Sequence, residues 1–365
     1  MDKTFIFLHD LNHSGTSRAA VLLANKIANC QLIVLGKKKK YPYEISDNVD
    51  VNFLGLSRPS SLFSKLLYLP SSLVCILKFL KRERPKNLIV YGKEFGCVFL
   101  FLRCLFKLDF KVIIIQSTYI SGQLRFMKGA VSRIIHKWIY NKVMPSAEHH
   151  IAICNGVAQD MVNNYRIKDV DISVVYPPID YSFFKDSASC ERKKEILFVG
   201  RLDVYKAPEV MIRIFQKIYE ENDVILRIVG DGSLRDELEE FCKSNHLERC
   251  VVFEGSQSDV MQYMKNSSVL AMTSKFEGFG MVLAEAIACG TPVISFDCPV
   301  GPSDIIVDGI NGFLVRNSDE EEFEKKIVEA INIKWNEADI KKTAEKFHPD
   351  KVLNGYINVI SKVFK

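Results

Sequence analysis

A chain of 365 residues with 48% hydrophobic and 25% charged side chains is too long for one core and too apolar to be disordered, so two domains of roughly 150 to 190 residues are expected. Its ten cysteines stand singly, with no Cys-x-x-Cys pair and no close His/Cys cluster, which argues against a disulfide framework or zinc site and for a reduced, cytoplasmic setting. The net charge of +5 conceals an asymmetry: residues 1–185 carry 26 Lys and Arg against 13 Asp and Glu, a net of +13, while the remainder carries 23 against 31, a net of −8. A basic half without a nucleic-acid motif points to an anionic membrane surface or a phosphate-bearing partner, not to nucleic acid.

The N-terminus shows no secretory signal, because its apolar run of four residues gives way at once to polar ones and reads as a first β-strand. The loop Asp10-Leu-Asn-His-Ser-Gly15-Thr-Ser-Arg18 joins that strand to a helix over 19–28. It is glycine-poor beside G-x-G-x-x-G, so it reads as a loop reaching across a cleft towards a phosphate, with Gly15 permitting close approach. Lys37 to Lys40 form a solvated turn. Apolar stretches at 66–80 and 95–106 are too short and too interrupted to span a membrane. Residues 62–80, followed by Lys81-Arg-Glu-Arg-Pro-Lys86, fit either a buried amphipathic helix with a basic C-terminal cap or a helix lying on a membrane surface.

Apolar, β-branched runs at 5–8, 31–35, 87–90, 111–115, 150–153 and 172–175 read as parallel strands of one doubly wound sheet. A second series, at 195–199, 225–229, 251–253, 268–272, 292–295 and 312–315, reads as another sheet of the same kind. The Pro- and charge-rich stretch over 178–193 marks the linker, and a last helix is expected over 351–363. The adjacent His149 and His150 read as surface or supporting residues. Asp169-Val-Asp171 matches the D-x-D pattern of metal–diphosphate sites but sits in a charged loop beside the linker and reads as a chance match.

The second half carries the chemistry. Gly200 ends a strand with room for a tight turn, and Arg201 and Lys206 follow at the strand's C-terminal edge, where open α/β sheets bind ligands. Two cations there suit a diphosphate and its departure. Gly230-Asp231-Gly232-Ser233 closes the next strand and opens a helix, offering backbone N–H groups to a phosphate or simply making a tight turn. Glu254-Gly-Ser256 ends the following strand within reach of a base. Glu277 precedes Gly278-Phe279-Gly280-Met281-Val282 in a loop, and Glu285 falls one or two turns into the next helix, so both carboxylates can face one ligand.

In order, Phe198-Val-Gly-Arg-Leu-Asp with Lys206, Val229-Gly-Asp-Gly, Phe253-Glu-Gly and the run from Phe276 to Ile294 resemble the donor domain of family 4 glycosyltransferases, over residues 196–316. Cys298-Pro-Val-Gly-Pro-Ser-Asp and Asn311-Gly-Phe-Leu-Val315 extend the likeness. It leans towards the bacterial branch that builds surface polysaccharides and lipid-linked oligosaccharides. The first half matches more loosely, through Gln116-Ser-Thr-Tyr119, Ile151-Ala-Ile-Cys-Asn-Gly and Val175-Tyr-Pro-Pro-Ile-Asp180.

The resemblance implies a GT-B fold: α/β, with two Rossmann-like doubly wound domains facing across a cleft. An acceptor-binding domain over 1–185 and a donor-binding domain over 186–345 are expected, with a helix over 346–365 crossing back to the first. It implies retaining transfer of a hexose or N-acetylhexosamine from a UDP-sugar to a glycan or polyprenyl-diphosphate-linked acceptor. No metal or other cofactor is implied, and the expected place of work is the cytoplasmic face of the membrane. Arg201 and Lys206 would neutralise the diphosphate, Glu285 would bind the ribose hydroxyls, and Glu277 with Gly278 to Met281 would hold the sugar. Many relatives carry a histidine near Gln116-Ser117, which this chain lacks, and the family's N-terminal double glycine is here Ser14-Gly15. Two other readings compete: a non-catalytic sugar-nucleotide-binding subunit, and a nicotinamide-dependent dehydrogenase, which requires a glycine-rich turn with an acid about 20 residues on.

Overall fold

The computed structural model describes residues 2–12, 14–38, 41, 43–56, 62–127, 129–185 and 192–365, with the backbone alone for 62–69. His13, Lys39, Lys40 and positions 186–191 of the expected linker lie outside the described residues. The chain divides into two compact units. Unit 1 comprises Met1–Pro178 and Pro349–Lys365, and unit 2 comprises Ile179–His348.

Unit 1 runs β1 (Thr4–Leu8), α1 (Gly15–Lys26), β2 (Cys30–Gly36), β3 (Asp50–Leu56), α2 (Leu62–Glu83), β4 (Asn87–Tyr91), α3 (Lys93–Phe106), β5 (Lys111–Gln116), α4 (Ile120–Arg125), α5 (Ala130–Val143), β6 (His149–Ala152), α6 (Asn155–Tyr165) and β7 (Ile172–Val174). Its seven strands lie in the order β3-β2-β1-β4-β5-β6-β7, and every pairing is parallel. Central strands such as Phe5-Ile-Phe-Leu8 and Val112-Ile-Ile-Ile115 are buried throughout, because helices cover both faces of a parallel sheet. β3 was not expected: it is an edge strand with half-buried side chains and lacks the continuous apolar run of its neighbours.

Unit 2 runs β8 (Lys193–Val199), α7 (Pro208–Asn222), β9 (Ile225–Val229), α8 (Arg235–Ser244), β10 (Val251–Gly255), α9 (Met261–Asn266), β11 (Ser267–Met272), α10 (Met281–Ala288), β12 (Val293–Phe296), α11 (Pro302–Ile305), β13 (Gly312–Val315), α12 (Glu320–Asn332) and α13 (Glu337–Ala344). The six strands lie in the order β10-β9-β8-β11-β12-β13. Their core joins Ile196, Phe198, Leu226 and Ile228 to Met211, Phe215, Phe323 and Ile327 of the covering helices. Both units are Rossmann-like α/β layers, and the last helix, α14 (Pro349–Val363), belongs to unit 1. There Lys111 Nζ donates to the carbonyl oxygens of Val363 and Lys365 at 2.9 and 2.8 Å, and the Tyr356 hydroxyl donates to Val175 O at 3.4 Å.

The units part between Pro178 and Ile179, at the start of the 178–193 stretch read as the linker and seven residues before the first domain's expected end at 185. Ile179 N donates to Phe347 O at 3.1 Å, and the rings of Tyr181 and Phe184 pack edge-on against His348, which ties residues 179–185 and 346–348 to unit 2. Gly15 is the first residue of α1, whose start is four residues earlier than expected; Ser14 Oγ caps it by accepting from Ser17 N at 3.2 Å. Asp169 and Asp171 form a short 3-10 turn at the surface. Among the described residues no helix is long and apolar enough to cross a membrane.

His150 is fully buried on β6, and its Nε2 donates to Met144 O at 3.1 Å. Burial pushes its pKa down to about 4. The native chain therefore refuses a proton that the unfolded chain accepts below its ordinary value, and stability is full above pH 6.5 and lost as the pH falls towards 4. The loss is expected to approach roughly 3 kcal/mol. Urea midpoints of wild type and His150→Leu between pH 7 and 4.5 check this: the variant, whatever its absolute stability, should show the flatter profile.

Candidate functional site

In unit 2 the strand order reverses between β8 and β11. Their following helices leave towards opposite faces, so the loops after the two strands splay apart and open a crevice at the C-terminal edge of the sheet. Residues 200–207 follow β8, and 273–280 follow β11.

These two loops are tied together. Lys206 Nζ donates to Glu277 Oε1 at 2.5 Å, with side chains 20% and 10% exposed. Burying a carboxylate is costly unless a cation or several donors meet it, and Lys206 supplies the partner. Backbone contacts fix the pair: Lys275 N donates to Tyr205 O at 2.8 Å, and Thr273 Oγ1 donates to Ala207 O at 2.9 Å. Ala207 is buried at φ +47, a left-handed conformation costly for a residue with a Cβ. The Thr273 bond helps to hold it there. Asp203 Oδ1 accepts from the N–H groups of Tyr205 and Lys206, both at 3.1 Å, and its Oδ2 meets Arg201 at 3.0 Å. Arg201 is otherwise 74% exposed, so this ion pair is weak and leaves the guanidinium accessible to a ligand.

The glycines explain themselves by close approach. A Cβ on Gly230, whose φ is +142, would stand 1.8 Å from Gly200 O, and one on Gly232 would stand 2.3 Å from Leu202 O. Gly200 itself meets nothing closer than 3.7 Å. The tight constraint expected at Gly200 therefore sits on its partners across the β8–β9 edge, where Leu202 N donates to Asp231 O and Leu234 N to Leu202 O, each at 3.0 Å. Gly230 N donates onward to Gly255 O at 2.8 Å, bringing Ser256 to the same edge. Gly280, at φ +91, turns the chain into α10, and a Cβ on Gly301 would lie 2.1 Å from Phe279 O.

The structure thus gathers Gly200, Arg201, Lys206, Gly230, Asp231, Gly232, Ser256 and Glu277 to Val282 along one sheet edge. Met281 and Val282 form the first turn of α10, and Glu285 is half-buried in the second. Phe279 is buried with its ring edge-on to Phe347 at 5.4 Å, so it anchors the loop. Gly15 lies in unit 1 at the head of α1, away from this edge in the sequence and in a different unit. Three residues were given no role from the sequence. Thr273 and Asp203 order the loops. Arg235 reaches Asp231 at 3.7 Å and Glu239 at 2.8 Å and lies against Gly255. An Arg opening the helix after a glycine turn is the signal by which the sequence offered it. Ser274 Oγ, in the same loop as Glu277, is buried with no hydrogen-bond partner among the described residues.

The two Rossmann-like units have the architecture of the GT-B fold, and comparison with known proteins agrees. Residues 181–347, nearly all of unit 2, match the family model described as glycosyl transferases group 1. An N-acetylgalactosamine-N,N'-diacetylbacillosaminyl-diphospho-undecaprenol 4-alpha-N-acetylgalactosaminyltransferase of Campylobacter jejuni is 28% identical over 335 residues, 88% of this chain and 87% of the relative. The apo structure of the lipopolysaccharide outer core galactosyltransferase WaaB superposes with a TM-score of 0.75 at 23% identity, covering 99% of each chain. Anabaena Alr3699/HepE in complex with UDP and glucose gives a TM-score of 0.76 at 16% identity, covering 99% of this chain and 100% of that one. By these likenesses the protein is a glycosyltransferase, with residues 181–347 matching the group 1 model, and the dehydrogenase reading falls away.

Gly230→Ala should be severely destabilising, by about 3 kcal/mol or more, because it combines a backbone clash with a conformation that L residues avoid. A thermal melt within a degree or two of wild type would show that the β8 and β9 turns do not pack as described.

Proposed function

We propose that the protein is a retaining transferase that moves a hexose or N-acetylhexosamine from a UDP-sugar to a hydroxyl of a glycan acceptor carried on a lipid diphosphate, at the cytoplasmic face of the membrane. The observation that carries the reading is the Lys206–Glu277 pair at the switch point of unit 2. The bound UDP and glucose of the HepE structure support the donor class. The diphospho-undecaprenol in the Campylobacter relative's name supports the acceptor class.

In this reading the donor diphosphate competes with Glu277 for the Lys206 ammonium and takes a second cation from Arg201. Glu277, released, accepts hydrogen bonds from sugar hydroxyls, with the Gly278 to Met281 backbone beside it. Glu285 accepts from the ribose hydroxyls. As the bond between the anomeric carbon and the phosphate oxygen breaks, its electron pair passes to the diphosphate, and Arg201 and Lys206 stabilise the growing charge. The acceptor oxygen bonds to the same face of the sugar and gives its proton to the departing phosphate oxygen. The configuration is kept without an enzyme nucleophile, and the two side-chain cations serve where other transferases use a metal.

Calorimetric titration with UDP, GDP, ADP and their sugar conjugates, with EDTA present, tests this directly. Binding of UDP and a UDP-sugar is expected, and binding of none of them would sink the reading. Glu285→Ala should weaken UDP at least about tenfold, the worth of a charged hydrogen-bond pair, and an unchanged dissociation constant contradicts the ribose role. Lys206→Ala should lower kcat by about 100- to 1000-fold, as for a lost oxyanion donor; turnover within tenfold of wild type would remove Lys206 from the mechanism.

A further inference from the structure

Helix α5 of unit 1 presents its apolar stripe to the wrong side for a core helix. Val131, Ile134, Ile135 and Trp138 recur at the spacing of one helix face and are 70%, 68%, 49% and 61% exposed. The face turned inward carries Ser132, His136, Ile139 and Tyr140 instead. An amphipathic helix in a globular domain buries its apolar stripe, and contiguous exposed apolar surface marks an interaction site. Arg133 and Lys137 are exposed on the third side and Lys142 one turn beyond Trp138.

The apolar surface continues past α5. Phe101, Leu105 and Phe106 of α3 are exposed, and Lys81 Nζ lies 5.3 Å from the Phe106 ring centre. A cavity of about 660 Å³ opens between α3 and α5, lined among others by Phe95, Val98, Phe101, Trp138 and Ile139, with Glu94 its acidic group. Helix α2, in contrast, turns Ile76, Phe79 and Leu80 into the core of unit 1, so its described part is the buried amphipathic helix of the two readings.

Charge names the occupant. Residues 110–147 contain six Lys and Arg and no Asp or Glu. Apolar side chains including a tryptophan, flanked by cations with no acid on the same segment, fit the interface of an anionic bilayer, where rings sit at headgroup depth and lysines meet phosphates. A second protein chain would favour an acidic counterpart on the rim, and the self-association of so basic a surface is opposed by its own charge.

We propose that the α5 face, with the exposed end of α3, docks unit 1 on an anionic lipid bilayer. The inference rests on the lipid-linked-acceptor reading for its setting. Its test uses bare vesicles and no sugar donor, so each can fail alone.

The full chain should co-sediment with phosphatidylglycerol–phosphatidylcholine vesicles at low salt, bind less at high salt, and bind weakly to phosphatidylcholine alone. Ile134→Glu with Trp138→Glu, both at exposed positions, should weaken binding at least about tenfold while leaving circular dichroism and UDP binding unchanged. Arg133→Glu with Lys137→Glu should weaken it several-fold. Three results overturn the proposal: no binding to the anionic vesicles, binding that the α5 variants do not alter, or a wild-type dimer in sedimentation that Ile134→Glu dissociates. A chain that binds UDP but ignores vesicles ends this inference and leaves the donor reading standing.

Discussion

One ion pair organises the site. Lys206 and Glu277 are 71 positions apart, on loops that leave neighbouring strands in opposite directions. Neither charge is well solvated, so each loop holds its conformation partly because the other is present. The Thr273 hydroxyl on Ala207 O and the Lys275 amide on Tyr205 O add neutral bonds at the same seam. A preformed cation beside a preformed carboxylate suits a substrate that is itself a diphosphate joined to a polyol: each end of the pair has a natural exchange partner.

The seam exists because the sheet is parallel and its order reverses between β8 and β11. All the loops at that edge follow strand C-termini, so glycine turns after β8, β9 and β10 lie side by side. Their closeness is what demands glycine at 230 and 232, where any Cβ would enter the backbone of the β8 loop. Stability and function are therefore coupled in the same residues. The turns that bring Arg201, Lys206 and Ser256 to one edge are the ones with least freedom to change.

Much of this was legible in the sequence. Twelve of the thirteen strands among the described residues read directly from apolar runs, because a strand buried on both faces leaves an unbroken signature. β3, half-exposed at the sheet edge, carries no such run. The candidate residues after each strand were found from glycines and charges at strand ends, but the Lys206–Glu277 contact was not, since it depends on which strands are neighbours. Tight turns were read at Gly200 and at Gly230 to Gly232 alike, and the geometry requires glycine at 230 and 232 but not at 200; a turn and a close approach look alike in sequence. The helices show the same limit. α2 and α5 both have an apolar stripe, and only the tertiary structure decides that the described part of α2 is covered and α5 is bare. The linker stretch was read from 178, where the units part, but the first domain was ended seven residues late, at 185, because nothing in the sequence shows that Ile179 to Phe184 pack on His348 and Phe347 of unit 2.

The central claim is that Lys206 and Glu277 act as a unit on a UDP-sugar, and a double-mutant cycle on donor turnover tests it most directly. Lys206→Ala, Glu277→Ala and the double variant would be compared by kcat/KM with the same UDP-sugar. If the pair is the device described, the double variant is little worse than either single one, because the first substitution already disables both groups. Fully additive losses, or single variants close to wild type, would show that the two residues work separately or only support the fold.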